Sequence, residues 1–271
     1  MGELEKIGMI AGNGIYPATF ARAARAAGVI RLVATGFKGE TEASLADDVD
    51  LLEWVRVGQL NKMIGFFQRE GIEKAVMVGQ IAPKNLFDLR PDLRTVKLLA
   101  GLKEKNAESI FGGIADELAS EGIELLPATT FLDDLLPAAG QVCGPDLGEN
   151  GLQDAEFGFR IAKEMSRLDI GQTVVVKNGT VLAVESFEGT NETIRRGGKF
   201  GRGNATMVKV SKPNQDLRFD VPVVGVITIE TAVEAGISVV VVEAGRTLLL
   251  GKDEVEELCR EKGVTVFAIN S

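Results

Sequence analysis

From Lys6 to Leu126, short apolar runs alternate with amphipathic segments of helical periodicity. The apolar runs predict strands at Lys6–Ala11, Val29–Thr35, Leu51–Val57, Ala75–Val78 and Ile123–Leu126. The amphipathic segments predict helices at Ala18–Ala27, Gly58–Glu70, Leu93–Lys105 and Ile110–Glu121. Because strands joined through helices run parallel and have both faces covered, the alternation predicts an α/β, Rossmann-like parallel-sheet domain.

This pattern breaks before residue 151. Turn-forming residues crowd into the break without strand or helix periodicity: Pro137, Gly140, Gly144, Pro145 and Gly148. Such clusters indicate a connection between domains. We therefore predict an N-terminal domain at 1–132, a linker at 133–150 and a C-terminal domain at 151–271, with a ligand cavity at the interface of the two domains.

The C-terminal domain is predicted to be mixed α/β. Asn178 and Gly179 separate two β-rich runs, and this dipeptide favours a hairpin turn. The other predicted elements are helices at Asp154–Arg167, Thr228–Glu234 and Lys252–Lys262, and strands at Ser238–Glu243, Thr247–Leu250 and Val264–Ile269. An antiparallel hairpin beside helix-linked strands predicts a sheet of mixed strand direction.

The glycine turn after the first predicted strand, with Gly12, Asn13 and Gly14, is a candidate binding site. Gly12 and Gly14 match the first two glycines of the dinucleotide fingerprint, whereas Pro17 replaces the third. Pro17 suits the first turn of a helix, but it does not supply the close helix–strand approach of an NAD site. The turn therefore favours a phosphate or a nucleotide over NAD, and a purely geometric turn is the alternative.

Gln59 and Gln80 each follow a glycine at the end of a predicted strand. Ligands of α/β sheets bind beyond the carboxyl ends of the strands, so these side chains are candidates for hydrogen bonds to a base or a sugar. The alternative is that both are ordinary loop residues.

A stretch from Glu188 to Asn204 mixes glycine with arginine and lysine. Seven basic and two acidic residues lie between Ile194 and Pro222, in a chain whose formal charge is −9. Glycine lets the backbone approach a ligand closely and local positive charge attracts anions, so we predict a phosphate cradle here. The candidate substrate-binding residues of this stretch are Glu188, Gly189, Thr190, Arg195 and Arg196.

Side chains of both charge signs are concentrated between Lys209 and Pro222. Pro213 and Pro222 exclude a continuous helix or a central strand, which leaves a loop or an edge segment. Cations hold phosphate oxygens, and carboxylates hold a divalent metal or a water molecule. The candidate catalytic residues are Lys212, Gln215, Asp216, Arg218 and Asp220, and the candidate Mg²⁺ ligands are Asp216 and Asp220. The alternative is a solvated loop whose charges pair with one another.

Composition excludes several classes of function. The chain has no histidine, which removes Ser-His-Asp and Cys-His catalysis and every histidine-ligated zinc site. Its acidic balance argues against a nucleic-acid partner. With no signal peptide, no cysteine framework and no run of about 18 apolar residues, the expectation is a cytoplasmic protein without a membrane span.

These motifs occur together in one family. The chain resembles the UDP-2,3-diacylglucosamine pyrophosphatases of the LpxI type over nearly its whole length. Five segments carry the resemblance, the last being the most specific: Ile10–Pro17, Gly79–Gln80, Leu182–Thr190, Ile194–Gly198 and Lys212–Pro222.

The resemblance implies a cytoplasmic enzyme of lipid A biosynthesis that is peripheral to the inner membrane. The implied reaction is hydrolysis of UDP-2,3-diacylglucosamine to UMP and 2,3-diacylglucosamine 1-phosphate with a divalent metal, Mg²⁺ being expected. The implied fold has two α/β domains with the lipid between them, and a homodimer stays open. The chain departs from the family pattern at Asn191, where an aspartate is expected, so position 191 is assigned no metal or water role.

The residues also suit this chemistry. Without histidine, the base or metal ligand must be a carboxylate, lysine or tyrosine, and Asp216 and Asp220 are the carboxylates nearest the basic cluster. Cationic side chains are expected to offset the charge that builds on the pyrophosphate: Arg195, Arg196, Lys212 and Arg218.

Two other functions stay open, an NAD-dependent oxidoreductase and a non-catalytic protein that binds a nucleotide sugar or a lipid. If the substrate is a lipid, its acyl chains need shelter. We predict an apolar slot walled by Phe157, Phe159, Ile161 and Met165 and by residues around Phe87 and Leu89. The alternative is that the face of Phe157, Ile161 and Met165 packs on the core of its own domain.

Overall fold

The computed structural model describes residues 5–81, 91–104 and 106–271. These residues form two compact units. The first unit extends to Leu132 and also includes Asp216–Asp220, and the second unit contains Asp133–Gln215 and Val221–Ser271. The segment Lys212–Asp220 is therefore divided between the two units.

The first unit contains a five-stranded parallel sheet, which confirms the α/β prediction. Its elements are β1 (Lys6–Ala11), α1 (Tyr16–Ala26), β2 (Arg31–Phe37), β3 (Leu51–Val55), α2 (Leu60–Arg69), β4 (Lys74–Val78), α3 (Leu93–Gly101), α4 (Ala107–Ser120) and β5 (Glu124–Leu125). The strand order is β3-β2-β1-β4-β5. The chain moves outward from β1 to β3 and then returns to β4 on the other side of β1, so β1 and β4 flank the topological switch point, where such sheets bind ligands.

Local signals explain the helices that cover this sheet. On α2, the apolar face predicted by periodicity is buried in the core of the unit: Leu60, Met63, Ile64 and Phe67. Helices α3 and α4 begin after capping residues, because the side chain of Asp92 accepts from Thr95 N at 2.9 Å and that of Asn106 accepts from Ser109 N at 2.8 Å.

The second unit contains a six-stranded mixed sheet, as predicted. Its elements are β6 (Gly140–Cys143), α5 (Gly148–Arg167), β7 (Thr173–Lys177), β8 (Thr180–Val184), α6 (Thr190–Gly201), β9 (Ala205–Lys209), β10 (Val223–Gly225), α7 (Val226–Glu234), β11 (Ile237–Glu243), β12 (Leu248–Leu250), α8 (Lys252–Lys262) and β13 (Thr265–Ile269). The strand order is β6-β13-β11-β9-β7-β8, with β9, β11 and β13 parallel at its centre and β6, β7 and β8 antiparallel to their neighbours. Strands β10 and β12 form a separate parallel pair.

The predicted hairpin is confirmed by β7 and β8. Asn178 and Gly179 both have positive φ, 49° and 69°, as a two-residue hairpin turn requires. The buried carboxylate of Asp154 on α5 accepts from the backbone N–H of each turn residue at 2.8 Å. Asp154, which lies six residues after the start of α5, therefore fixes the tip of the hairpin.

Residues 133–150, predicted as a linker, lie instead within the second unit. Strand β6 pairs with β13, and α5 begins at Gly148 rather than at Asp154. A Cβ atom on Gly144 would lie 2.0 Å from Val264 O. The glycine at this position therefore serves close packing of an edge strand, which local sequence cannot distinguish from a flexible connection.

The predicted phosphate cradle in the glycine-rich stretch is wrong in its backbone structure, because Thr190–Gly201 form helix α6. A Cβ atom on Gly197 would lie 2.4 Å from Val175 Cβ, and one on Gly198 would lie 2.1 Å from Ala235 O. These glycines let α6 pack closely against β7 and the end of α7. Their N–H groups lie inside a helix and do not form a cradle.

The predicted lipid wall on α5 also needs correction. Phe157 and Ile161 pack against a core cluster of the second unit that contains Val174, Val208 and Val241, and Met165 is buried as well. Phe159 packs on the same cluster. This face of α5 packs on the core of its own unit, as the alternative to a lipid slot predicts.

The other predicted walls, Phe87 and Leu89, lie outside the described residues. None of the helices in the described ranges combines the length and the apolar character needed to traverse a bilayer.

Candidate active site

Two glycine turns meet at the switch point of the first unit. Gly12 N donates to Val78 O at 2.8 Å, and Asn13 N donates to Gln80 O at 2.7 Å. A Cβ atom on Gly12 would lie 2.5 Å from Gln80 O, so only glycine permits this approach. The structure thus brings together Gly12, Asn13 and Gln80, which the sequence analysis had proposed separately as ligand contacts.

The side chains of this turn differ in their surroundings. The Asn13 side-chain amide donates to Glu40 Oε2 at 3.0 Å, and Glu40 is buried. Gln80 and Gly14 are exposed, Gly14 with φ of 81°. Asn13 is therefore held in place by a buried carboxylate, while Gln80 lies on the surface of the same turn pair.

Tyr16, at the start of α1, anchors this region to a second chain segment. Its hydroxyl is buried and donates to Ala128 O at 2.8 Å, and burial raises the pKa of Tyr16. Ala128 N in turn donates to Leu217 O at 2.8 Å. Tyr16 thus supports the backbone on which Asp216–Asp220 lies.

The segment Asp216–Asp220 forms one tight turn. Asp216 O accepts from Phe219 N at 3.2 Å and from Asp220 N at 2.9 Å. The Asp216 carboxylate also binds Arg218: Nε lies 2.9 and 3.1 Å from its two oxygens, and Nη2 lies 2.6 Å from Oδ2. The hydrogen bonds from Arg218 lower the pKa of Asp216.

The two aspartates of this turn therefore have different surroundings. Both carboxylate oxygens of Asp216 are occupied by Arg218. Within the described ranges, the half-buried Asp220 side chain has no hydrogen bond or ion pair. Asp220 is thus the carboxylate of this turn whose oxygens can accept a metal ion or a water molecule.

In the second unit, Lys212 and Gln215 form a compact turn. Lys212 N donates to Gln215 Oε1 at 2.7 Å, and Gln215 N donates to Lys212 O at 3.3 Å. Lys212 Nζ forms an ion pair with Asp169. Gln215 Nε2 is buried and, among the described residues, has no acceptor. A buried donor in this state suits an anionic oxygen of a ligand.

A fully buried carboxylate fixes the residue just before this turn. Glu243, the last residue of β11, is 0% exposed. It accepts from Ser211 N and Ser211 Oγ at 2.8 Å, from Lys163 Nζ at 3.0 Å, and from Ser271 Oγ. Burial raises the pKa of Glu243, but these hydrogen bonds outweigh it and the net pKa is lowered.

A second polar cluster lies around the start of α6. Thr190 Oγ1 donates to Glu185 Oε1 and accepts from Lys209 Nζ, both at 2.9 Å. Glu188 accepts from Ser186 Oγ at 2.5 Å and pairs with Arg196.

This arrangement joins some of the predicted substrate-binding residues and leaves one apart. The hydroxyl of Ser186, the N–H of Glu188 itself and the guanidinium of Arg196 together hold the pKa of Glu188 at about 2. Glu188, Gly189, Thr190 and Arg196 are thus neighbours, whereas Arg195 pairs with Glu192 at 2.5 Å on the exposed side of α6.

Both halves of the sequence match domains of one family. The LpxI N-terminal domain matches residues 6–135, and the LpxI C-terminal domain matches residues 138–267. The chain belongs to the LpxI family. A relative from Caulobacter vibrioides, UDP-2,3-diacylglucosamine pyrophosphatase LpxI, is 30% identical over 282 residues and is matched over 98% of each chain.

Solved structures add no argument. The biotin carboxylase domain of 2-oxoglutarate carboxylase from Hydrogenobacter thermophilus is 15% identical, with a TM-score of 0.30 over 66% of this chain and 36% of that one. A biotin carboxylase subunit of pyruvate carboxylase is 14% identical, with a TM-score of 0.27 over 67% and 35%. The chain spans about a third of either structure, and these scores are too low to support an inference.

This LpxI-family chain offers few donor side chains to a metal ion. Across the described residues, no group of three or more Cys, Asp, Glu or His side chains could hold a metal ion. Mg²⁺ needs fewer, because it binds through one or two carboxylates and completes its shell with phosphate oxygens and water. Asp220 meets this requirement, whereas Asp216 would first have to leave Arg218.

Sequence analysis missed several residues that organise the site. Tyr16 and Glu243 each hold a segment that carries predicted catalytic residues. The only local signal for Glu243 was a carboxylate at the end of an apolar strand, where charge is unusual. Tyr16 has no comparable signal, since its partner Ala128 lies 112 residues away.

Proposed function

We propose that this chain hydrolyses the pyrophosphate bond of UDP-2,3-diacylglucosamine in lipid A biosynthesis, giving UMP and 2,3-diacylglucosamine 1-phosphate (lipid X). The observation that carries the proposal is the 30% identity to the Caulobacter vibrioides enzyme across 98% of both chains. The half-exposed cations and carboxylates of Lys212–Asp220 agree with it. Binding a dianionic diphosphate needs positive charge, and its hydrolysis needs an activated water molecule that attacks phosphorus.

In this proposal Asp220 performs the carboxylate chemistry. It would hold Mg²⁺, which when bound would polarise a phosphate oxygen and stabilise negative charge. Asp216 keeps Arg218 in a fixed position through two parallel hydrogen bonds, so the Arg218 guanidinium is oriented before the substrate arrives. Preorganised charge of this kind does not have to reorient as the reaction proceeds.

Lys212 and Gln215 would bind phosphate oxygens from their own turn. The Lys212 backbone holds the Gln215 side-chain oxygen, which leaves Gln215 Nε2 as the donor for a ligand. Lys212 Nζ contributes positive charge, part of which the ion pair with Asp169 neutralises. Replacing Gln215 with Glu should therefore weaken phosphate binding by changing a donor into an acceptor.

Glu188 is a poor general base, although it lies in the predicted binding stretch. A base works best when its pKa is near the working pH, and the pKa of Glu188 is held at about 2. We therefore assign Glu188 and Arg196 to binding and to the geometry of the α6 start, together with Gly189 and Thr190.

The defining experiment incubates the purified chain with UDP-2,3-diacylglucosamine and Mg²⁺ and measures UMP release. EDTA should abolish the release and added Mg²⁺ should restore it. UMP release that persists in EDTA would contradict the metal requirement alone. No release under either condition would contradict the proposed reaction.

Peripheral membrane contact is part of the same proposal, because a substrate with two acyl chains is delivered from a membrane. Phe187 is 100% exposed, and Leu168 and Ile170 are 59% and 47% exposed on either side of Asp169. Co-sedimentation with anionic phospholipid vesicles tests the contact, and Phe187→Ser should reduce it. A homodimer stays a prediction that light scattering can decide.

A further inference from the structure

The first unit contains an apolar cavity of about 390 Å³. Its walls come from the carboxyl ends of β1 and β4, at Ile10 and Met77, and from helices α2, α3 and α4. All of these elements belong to the same compact unit. The cavity therefore lies beside the topological switch point, where the two glycine turns meet.

A space of this size is unusual inside one unit. Protein interiors are packed as densely as organic crystals, and most voids are no larger than a water molecule. This cavity is partly open to solvent, and contact between its apolar wall and water is unfavourable. The volume lies at the lower end of the range for small-molecule sites, roughly 300 to 1,000 Å³. These properties indicate space for a ligand.

The chemistry of the wall narrows the class of ligand. Among the described residues that line the cavity, all are hydrophobic except Gly58, Gln59 and Thr95. The Thr95 hydroxyl donates to Gly58 O at 2.7 Å, and Gln59 Oε1 accepts from Arg56 N at 2.9 Å. Because these polar atoms already have partners within the protein, the wall offers little to a sugar or a base. A saturated hydrocarbon chain matches it.

An aromatic contact connects the cavity to the proposed catalytic turn. Phe111 on α4 lines the cavity, and its ring centroid lies 5.7 Å from that of Phe219. Phe219 lies between Arg218 and Asp220 in sequence, and the Arg218 guanidinium carbon lies 5.9 Å from the Phe219 ring centroid. The apolar wall thus passes directly into the turn that carries Arg218 and Asp220.

We propose that this cavity binds one acyl chain of the substrate, with Phe111 and Phe219 separating the hydrocarbon from the diphosphate that Arg218 and Asp220 face. The inference rests on the proposed pyrophosphatase function and adds the place where the lipid is recognised. It also replaces the slot predicted on α5, since that face packs on its own core. A site for one chain predicts that acyl length controls affinity, because each buried methylene changes binding about fourfold.

The first test uses the wild-type chain with a series of UDP-2,3-diacylglucosamines of decreasing acyl length. We expect KM to rise about fourfold for each methylene removed within the cavity, while kcat changes little. Isothermal titration with the corresponding diacylglucosamine 1-phosphates should show the same slope without turnover. If KM and the measured Kd stay flat along the series, the acyl-binding inference is wrong.

The second test fills the cavity. Leu99→Trp and Ile114→Trp place an indole at two half-buried lining positions on α3 and α4. Val96→Trp is the matched control, because Val96 is on α3, is 48% exposed and does not line the cavity. We expect at least one filling variant that keeps its melting temperature to raise KM for the long-chain substrate tenfold or more, and the control to stay near wild type.

These outcomes separate the inference from the function on which it rests. A wild-type chain that releases no UMP from any substrate would contradict the pyrophosphatase proposal itself. A wild-type chain that is active, with folded filling variants whose KM and Kd are unchanged, would mean that the cavity is an empty packing defect. Filling variants whose KM rises equally for a short-chain substrate would also overturn the inference, because the indole would then be acting on the turn and not on the acyl chain.

Discussion

The carboxyl ends of the parallel strands have opposite character in the two units. In the first unit, β1 and β4 end beside an apolar cavity of about 390 Å³. In the second unit, β9 and β11 end in an ionic cluster in which Glu243 is fully buried and binds Lys163 and Ser211. One sheet end leaves a mainly apolar space, and the other fills its space with paired polar groups.

In our proposal, this difference separates ligand binding in the first unit from positioning in the second. A buried charge is tolerated only when it is paired, and the pairing fixes the backbone around it. Glu243 thereby holds Ser211 and the turn that begins at Lys212. The cavity of the first unit is mainly apolar and partly open to solvent, and in our proposal a hydrocarbon chain fills it. The carboxyl ends of the parallel strands thus differ between the five-stranded parallel sheet and the six-stranded mixed sheet: the first end leaves a cavity, and the second holds the turn that begins at Lys212.

The largest expected effect concerns the two aspartates of the turn Asp216–Asp220. Asp220→Asn should lower kcat on the order of a hundredfold or more, because it removes the carboxylate of this turn that has no partner among the described residues. Asp216→Asn should also lower turnover on that order, but by releasing Arg218. Steady-state UMP release measures both, with the exposed Asp47→Asn as the control. Near-normal turnover in both folded variants would remove this turn from the catalytic site.

A second prediction tests the ionic cluster of the second unit. Glu243→Ala leaves the N–H of Ser211 and the ammonium of Lys163 without their acceptor, and it should lower the free energy of unfolding by about 3 kcal/mol. Urea denaturation measures the loss. The control is Glu164→Ala on α5, next to Lys163 in sequence, where an exposed pair with Arg167 contributes about 0.3 kcal/mol. Equal effects of the two substitutions would show that the buried cluster does not fix the second unit.

A third prediction concerns the glycine turns beside the cavity. Gly12→Ala would put a Cβ atom 2.5 Å from Gln80 O, a backbone atom that cannot move aside, and should destabilise by about 2 kcal/mol. Gly112→Ala, inside α4 with open space around it, should instead stabilise by about 0.5–1 kcal/mol. Thermal unfolding of both variants checks the contrast. A stabilising Gly12→Ala would mean that the two turns are not held together.

The parts of this comparison that depend on local pattern could be predicted from the sequence. Strand β1, the apolar face of α2 and the hairpin at Asn178 follow from periodicity and turn chemistry, which act within a few residues. Helix α6 could not be predicted in this way, because Gly197 and Gly198 are poor helix formers. A larger side chain at either position would collide with Val175 or Ala235. Tertiary packing overrides local propensity there.

The candidate site shows the same limit. Asp216, Arg218 and Asp220 were identified as charges near one another in sequence. Their division of roles depends on which oxygens Arg218 occupies, and that geometry has no sequence signal. The described residues that line the cavity come from six separate elements, so no single stretch reveals it.

The smallest predicted effect contrasts an exposed carboxylate of the second unit with buried Glu243. Ser186, the Glu188 N–H and Arg196 lower the pKa of Glu188 from 4.5 to about 2 in the folded chain. A carboxyl group with a depressed folded pKa stabilises the fold above its unfolded pKa, and this contribution is lost as the pH falls toward the folded value. The melting temperature of wild type should therefore exceed that of Glu188→Gln by a constant small margin above about pH 5, and the margin should vanish between pH 4.5 and pH 2. Because Glu188 is exposed, 1 M salt should reduce the margin, and Arg196→Gln should remove much of it. A margin that is independent of pH would mean that the charge of Glu188 does not contribute to the stability of the α6 start.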